Sequence, residues 1–235
     1  MTKELDCRDV VVPILRTYLA SHLTGLSERF SWRIPAFEGF QEGSTDLEKN
    51  IALRRHLSAE WSSADAVRKR LLVKWYVSQF GGVKRNKPET IEAYAAASEE
   101  DLAYGRMKGV ASWSKVLAMR NPVKFVIFDA RVSAALNAIQ VLSRGAVTIY
   151  FPFLPTQNGR LKKARPWFEK NMKTNARHPN EGAVYSTFID VLNAAIPEHW
   201  KLDPPFPGSA IEVAEMILFS DGPELAAKAV GSRWP

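Results

Sequence analysis

The sequence predicts a mainly α fold, and three observations carry that expectation. Apolar residues recur at helical spacing in one segment after another, beginning with Val12, Leu15, Leu19 and Leu23. Breakers stand where such segments should stop: Gly81-Gly82, Asn121-Pro122 and Asp203-Pro-Pro-Phe-Pro-Gly. Only Val147 to Phe153 is short, β-branched and aromatic enough to read as a strand or a buried extended segment.

In chain order, Asp9 to Leu23 reads as the first helix. A loop rich in aromatics and glycine follows, with Phe30, Trp32, Phe37 and Phe40. Asp46 to Leu57 and Ser63 to Phe80 read as two helices, the second capped by Ser63 or Asp65 and stopped by Gly81-Gly82. Pro88-Glu-Thr opens a helix through Ala97, and Ser98-Glu-Glu-Asp starts a short one. The region Gly105 to Leu117 reads as a helical hairpin. An apolar run, Phe125 to Phe128, leads to Asp129 and a helix over Ala130 to Leu142. Beyond Gly145 the chain is richer in loops, with helices expected near Arg165 to Met172, Ala183 to Ile196, Ile211 to Phe219 and Glu224 to Val230.

Composition narrows the classes of function. A chain of 235 residues can bury a sizeable core. No stretch approaches the roughly 18 consecutive apolar residues of a membrane span, and the first residues lack the apolar core of a signal peptide. The single cysteine, Cys7, rules out an intramolecular disulfide and a cysteine-rich metal cluster. A reducing, cytoplasmic setting is expected, with no membrane partner. The net charge of +7 and pI near 9.5 suit a polyanionic partner. Lys84 and Arg85 follow Gly81-Gly82 in an expected loop, and Lys162, Lys163 and Arg165 follow Asn158-Gly159 in another, where such charges can meet phosphates.

The most informative run is Met107-Lys-Gly-Val-Ala-Ser-Trp-Ser-Lys-Val-Leu-Ala118. Gly109 and Ala111 flank Val110 between a short helix and a longer one. Backbone N–H groups at such a helix start can hold a phosphate, and the missing side chains let a DNA backbone come close. Lys108 and Lys115 would add charge beside it. Taken alone, the run also fits an ordinary helix–turn–helix corner stopped by glycine.

Together with Val126-Ile-Phe-Asp-Ala-Arg-Val132, this run resembles the helix-hairpin-helix superfamily of base-excision DNA glycosylases. The hairpin of that family reads roughly L-P-G-V-G-x-K/W-T-A, and its catalytic aspartate lies in V-D-x-x-V at a helix start. Asp129 and Val132 keep the latter spacing. Lys108 stands where the family has proline, Ala111 where it has a second glycine, and the distance from Gly109 to Asp129 is slightly short. The resemblance covers roughly Gly105 to Leu142. It implies two packed helical subdomains with a cleft between them, double-stranded DNA as partner, a monomer, and no cofactor beyond a monovalent cation at the hairpin. The expected division is 1–145, a glycosylase-like core with the hairpin at about 101–118, and 146–235, a loop-rich helical part packed on it.

The resemblance makes Asp129 the catalytic residue. Breaking an N-glycosidic bond builds positive charge on the sugar, which a nearby carboxylate stabilises while it orients or deprotonates water. An aspartate before a helix is also an ordinary N-cap, and the two roles are compatible. Trp113 falls where strand-cleaving members carry a nucleophilic lysine, so the resemblance implies a monofunctional enzyme; alkylation-repair members have tryptophan here, lining the base pocket. Trp113 equally fits a core position. Lys115, two residues on, is not given the nucleophile's role. Phe128, Arg131, Phe37 and Trp32 are the other candidates for the pocket, the loop aromatics also fitting a satellite core.

The expected function is therefore hydrolysis of the N-glycosidic bond of a flipped, modified base, leaving an abasic site. The base would be alkylated, or hypermodified, such as a glucosylated cytosine in phage DNA, which would make the chain a repair or a defence enzyme. A non-catalytic DNA-docking module and a helical assembly domain remain open alternatives.

Overall fold

The computed structural model describes residues 7–40, 42–104, 107–143, 149–173 and 176–232. It is mainly helical, with twelve α-helices among the described residues. They are α1 (Cys7–Ser21), α2 (Leu26–Arg29), α3 (Asp46–Ser63), α4 (Ala66–Lys74), α5 (Pro88–Ala96), α6 (Glu99–Ala103), α7 (Val110–Arg120), α8 (Ala130–Leu142), α9 (Gly159–Asn171), α10 (Val184–Ala195), α11 (Glu198–Leu202) and α12 (Ala210–Gly231). No helix among the described residues is long and apolar enough to cross a membrane.

Local chemistry explains most of the boundaries. Thr45, Ser98 and Ser209 open α3, α6 and α12 with reciprocal capping boxes to Glu48, Asp101 and Glu212. Asp65, rather than Ser63, caps α4, accepting from Arg68 N. The helix expected from Ser63 to Phe80 starts later, at Ala66, because α3 runs on to Ser63, and α4 continues into a π-helical turn, Trp75–Phe80, that puts Phe80 and Gly81 beside a cavity. Lys162, Lys163 and Arg165, expected in a loop, lie on α9, which starts earlier than predicted because Asn158 caps it through Arg160 N and Leu161 N.

One hydrophobic core runs from Val11 to Ala229 and draws on both sides of the boundary expected at 145, a position outside the described residues. α12 packs along α8, with α9 beside it, and α1 packs against α10. The helix expected to break at Asp221-Gly222-Pro223 is continuous in α12. A β-carbon at Gly222 would sit 2.3 Å from the carbonyl oxygen of Arg131, so bare glycine lets α8 and α12 touch backbone to backbone. That packing holds the helix through Pro223 against the usual cost of an interior proline.

The described part of the expected strand, Ile149 to Phe153, is extended but joins no sheet; its one bridge pairs Ile149 with Arg177. Tyr150 N donates to Arg177 O at 3.0 Å, and the residues on either side of it bond to side chains of α8. Asn137 clasps Phe151 N and O at 3.0 and 2.7 Å, and Gln140 clasps Ile149 N and O at 3.2 and 2.8 Å. Buried amides thus replace a neighbouring strand and leave these backbone groups satisfied.

Candidate active site

The hairpin region starts the site. α6 and α7 are joined by a turn whose first residues, Gly105 and Arg106, lie outside the described ones. Gly109 caps α7 with φ +83°, in the left-handed region, and a β-carbon there would meet Tyr94 Oη at 2.5 Å. Glycine is required twice over, by backbone and by space. Lys108 and Gly109 are exposed, and Ala111 is half-buried. Val110 turns its side chain into the core and its N–H to Met107 O, 3.0 Å away, so that amide is not offered to a ligand.

Lys84 and Arg85 are exposed on the loop after Gly82, and Asn86 of this loop donates to Ser112 Oγ in the first turn of α7. The structure therefore ties the basic loop to the hairpin. Nothing in the sequence pattern signalled that link.

Asp129 caps α8. Its Oδ1 accepts from Arg131 N at 2.8 Å and Val132 N at 3.1 Å, which fixes the carboxylate as expected from its place before a helix. The preceding segment, Phe125 to Phe128, is held from two sides. Tyr185 donates to Val126 O, and Ser114 of α7 accepts from Phe128 N. Ser114 sits next to Lys115, so one hydroxyl sets the spacing of Asp129 against α7.

Asp129 borders a small, partly open cavity of about 30 Å³, room for a water or two. Phe30, Trp32, Phe80, Ile127 and Phe219 form its apolar walls; Asn50, Arg54, Lys115 and Glu215 add polar groups, and Gly81 completes it. Arg131 is not part of this lining but braces the wall, its guanidinium 4.4 Å from the Phe219 ring and 5.6 Å from that of Trp32.

Several expected placements need correction. Lys115 is not a surface contact for phosphate. It is buried, lines the pocket with Asp129, and its Nζ donates to Ala111 O at 2.6 Å. Gly81 makes room for it: a β-carbon at Gly81 would lie 2.5 Å from Lys115 Cδ and Cε. Trp113 does not line the pocket. It is buried on the other side of α7, edge-on to Tyr185 at 4.9 Å, because two residues along a helix turn the side chain to the opposite face. Phe128 is wholly buried against Phe151 and Phe188. Phe37 packs on Trp75 and His56, away from the lining. Trp32 is in place.

The charged floor escaped sequence reasoning. Arg54 and Glu215 are almost wholly buried and pair at 2.8 Å; Glu212, one turn earlier on α12, stands 3.9 Å from the same guanidinium. A signal existed. Arg54 shares the buried stripe of Leu47, Asn50, Ile51, Leu57 and Trp61 on α3, and both glutamates interrupt the apolar run Ile211 to Phe219. Burial opposes the charge of Arg54, yet Glu215, Tyr76 and Glu212 together hold its pKa above the ordinary value. Burial pushes Glu215 up to about 7 against the pull of Arg54. Burial likewise drives the Lys115 ammonium below the usual lysine range, opposed by the nearby Asp129 and Glu215 carboxyls.

Chemically, the pocket has aromatic walls for a flat ring, a fixed carboxylate, and an amine whose neutral form is favoured by burial. Among the described residues no group of three His, Cys, Asp or Glu side chains is arranged to hold a metal ion. No protein-family model matches the chain, and neither a curated protein nor a solved structure is significantly similar to it.

Proposed function

We propose that this chain is a DNA glycosylase that takes a modified base from duplex DNA into the Phe30–Trp32–Phe80–Phe219 pocket and releases it by hydrolysis. The single observation that carries this reading is the position of Asp129, anchored by two backbone N–H groups at the border of an aromatic-walled pocket. A carboxylate fixed beside an aromatic-walled cavity is more than phosphate docking requires, and the walls must part to admit a base. In the proposed mechanism the exposed Lys108–Gly109 turn and the Lys84–Arg85 loop meet phosphates, and the base rotates into the pocket. Asp129 stabilises the positive sugar and accepts the proton of the attacking water. The setting is the bacterial cytoplasm, in repair or in defence against modified phage DNA.

Replacing Asp129 by Asn tests this directly. The N-cap acceptor survives, so folding should be retained, while base release should fall on the order of 10²–10⁴-fold. Mass spectrometry of bases freed from alkylated, deaminated and glucosylated-cytosine DNA reads the result. Full activity in Asp129→Asn on every cleaved substrate refutes the role.

The buried amine of Lys115 supports a second reading, with strand cleavage after base loss. A desolvated lysine beside the sugar can attack C1′ of the abasic aldehyde, expel water and form an imine. This reverses the expectation drawn from Trp113, because Lys115 occupies the pocket that Trp113 leaves. Borohydride added to the chain with abasic duplex DNA should then give a covalent adduct that Lys115→Gln abolishes. Intact abasic strands and no adduct leave the hydrolytic reading alone in place.

A further inference from the structure

We infer that Glu215 is the acid that protonates the departing base, an inference resting on the reading of this pocket as a base-excision site. Glu215 projects from the second turn of α12, where almost every neighbour is apolar, and lines the same pocket as Asp129. Its Oε2 accepts from Arg54 Nη2 at 2.8 Å, while Oε1 takes no hydrogen bond from any described residue. A carboxyl this buried is costly unless fully bonded.

Glu215 pairs with Arg54 and also faces the cavity, whereas Glu212 stands 3.9 Å from the same guanidinium and caps α12 by accepting from Ser209 N at 2.9 Å. Glu212 does not line the pocket; Glu215 does. Glu215 is therefore the glutamate that a ligand in the cavity would meet.

The groups that act on it come from every side. Arg54 belongs to α3, Tyr76 to the π-helical turn, Lys115 to α7, Asp129 to the cap of α8, Tyr185 to α10, and Glu212 to its own helix. Burial is the largest influence, Arg54 opposes it, and Asp129 and Glu212 reinforce it, so a large share of Glu215 carries its proton at neutral pH. Two carboxyls in one site with environments this different are suited to separate acid and base work.

The step balances. The bond from C1′ to the base nitrogen breaks, and its electron pair goes to the base. Glu215 gives its proton to that ring. Water adds to C1′, and its proton passes to Asp129. Base and abasic sugar are released, and the two carboxyls exchange protons with solvent to restore the starting state.

Two duplex probes separate this role from the site itself. One carries 7-methylguanine, already cationic and able to leave without a proton; the other carries a neutral glucosylated 5-hydroxymethylcytosine. In single-turnover assays the unmodified chain should lose rate above about pH 7 on the neutral base only. Glu215→Gln should slow the neutral base on the order of 100-fold and flatten that profile, while sparing the cationic base. Glu212→Gln, equally buried, should keep the profile. No release of either base, nor of any base from bulk modified DNA, overturns the site and this inference with it. Release with the same pH profile on both bases overturns the role of Glu215 alone, and this readout needs no variant to fold.

Discussion

The turn at Gly109 and the pocket floor at Lys115 share one helix, α7, yet different physics builds them. The turn is local. A left-handed glycine, an adjacent tyrosine and hydrogen bonds within a few residues define it. The floor is not local: Arg54, Lys115, Asp129 and Glu215 come from four helices or helix caps and are held in charge balance by burial. The turn should tolerate damage with a modest loss, whereas the floor should fail as a unit.

The largest effect is expected at Arg54. Arg54→Met leaves Glu212 and Glu215 buried without their cation, and breaking a buried pair in this way costs about 3–5 kcal/mol. Urea unfolding should show the loss, and it should be larger at pH 8 than at pH 5, because at low pH Glu215 can take up a proton and shed its charge. An equal loss at both pH values would mean that the floor is not electrostatically coupled.

Glu215 itself gives the next test. Its carboxyl is raised from the ordinary 4.5 to about 7 in the folded chain. The folded state holds that proton more tightly than the unfolded one, so the associated stability is fully present below pH 4.5 and is lost as pH rises to about 7. The difference in unfolding free energy between the unmodified chain and Glu215→Gln should therefore change across that window and level off above it. A difference that is flat with pH would place the proton elsewhere.

Gly109→Ala should cost less, about 1–2 kcal/mol for a left-handed alanine, plus the clash with Tyr94 Oη. Tyr94→Phe in the same chain removes the clashing oxygen but not the backbone strain, so it should restore only part of the loss in thermal unfolding. Complete rescue would mean that the turn relaxes out of the left-handed region.

Those two regions also show what was legible in the sequence. The helix over Ala130–Leu142 was bounded correctly because an aspartate cap and an Ala/Leu-rich stretch are local signals. The turn was legible through Gly109 for the same reason. Lys115 reads as a phosphate contact because it follows the hairpin turn closely, and nothing local signals its burial. What decides its environment is the notch left by Gly81 on the π-helical turn, a contact between residues far apart in the chain. The resemblance offers Trp113 to the pocket while a core place fits it equally, and the packing of α10 through Tyr185 and Phe188 claims both Trp113 and Phe128 for the core. Arg54 and Glu215 carried a readable signal, charge within an apolar stripe, but their pairing across α3 and α12 exists only once the helices dock.

The smallest structural effect, and the one that sharpens the turn's role, concerns its charges. Lys84, Arg85 and Lys108 are exposed, and Asn86 ties the first two to the hairpin through Ser112. Replacing all three by Gln should leave the thermal midpoint essentially unchanged, since no buried contact is lost. If each meets one phosphate, the slope of log affinity against log salt should become shallower by about 2.7, at roughly 0.9 per phosphate on duplex DNA. The loss should also be the same for modified and unmodified sequences, because phosphate contacts position the protein without reading the base. An unchanged slope would move the docking face away from the hairpin, and the exposed Lys162 and Lys163 of α9 would become the next positions to neutralise. A slope that falls only for modified DNA would instead mean that these charges reach the flipped base.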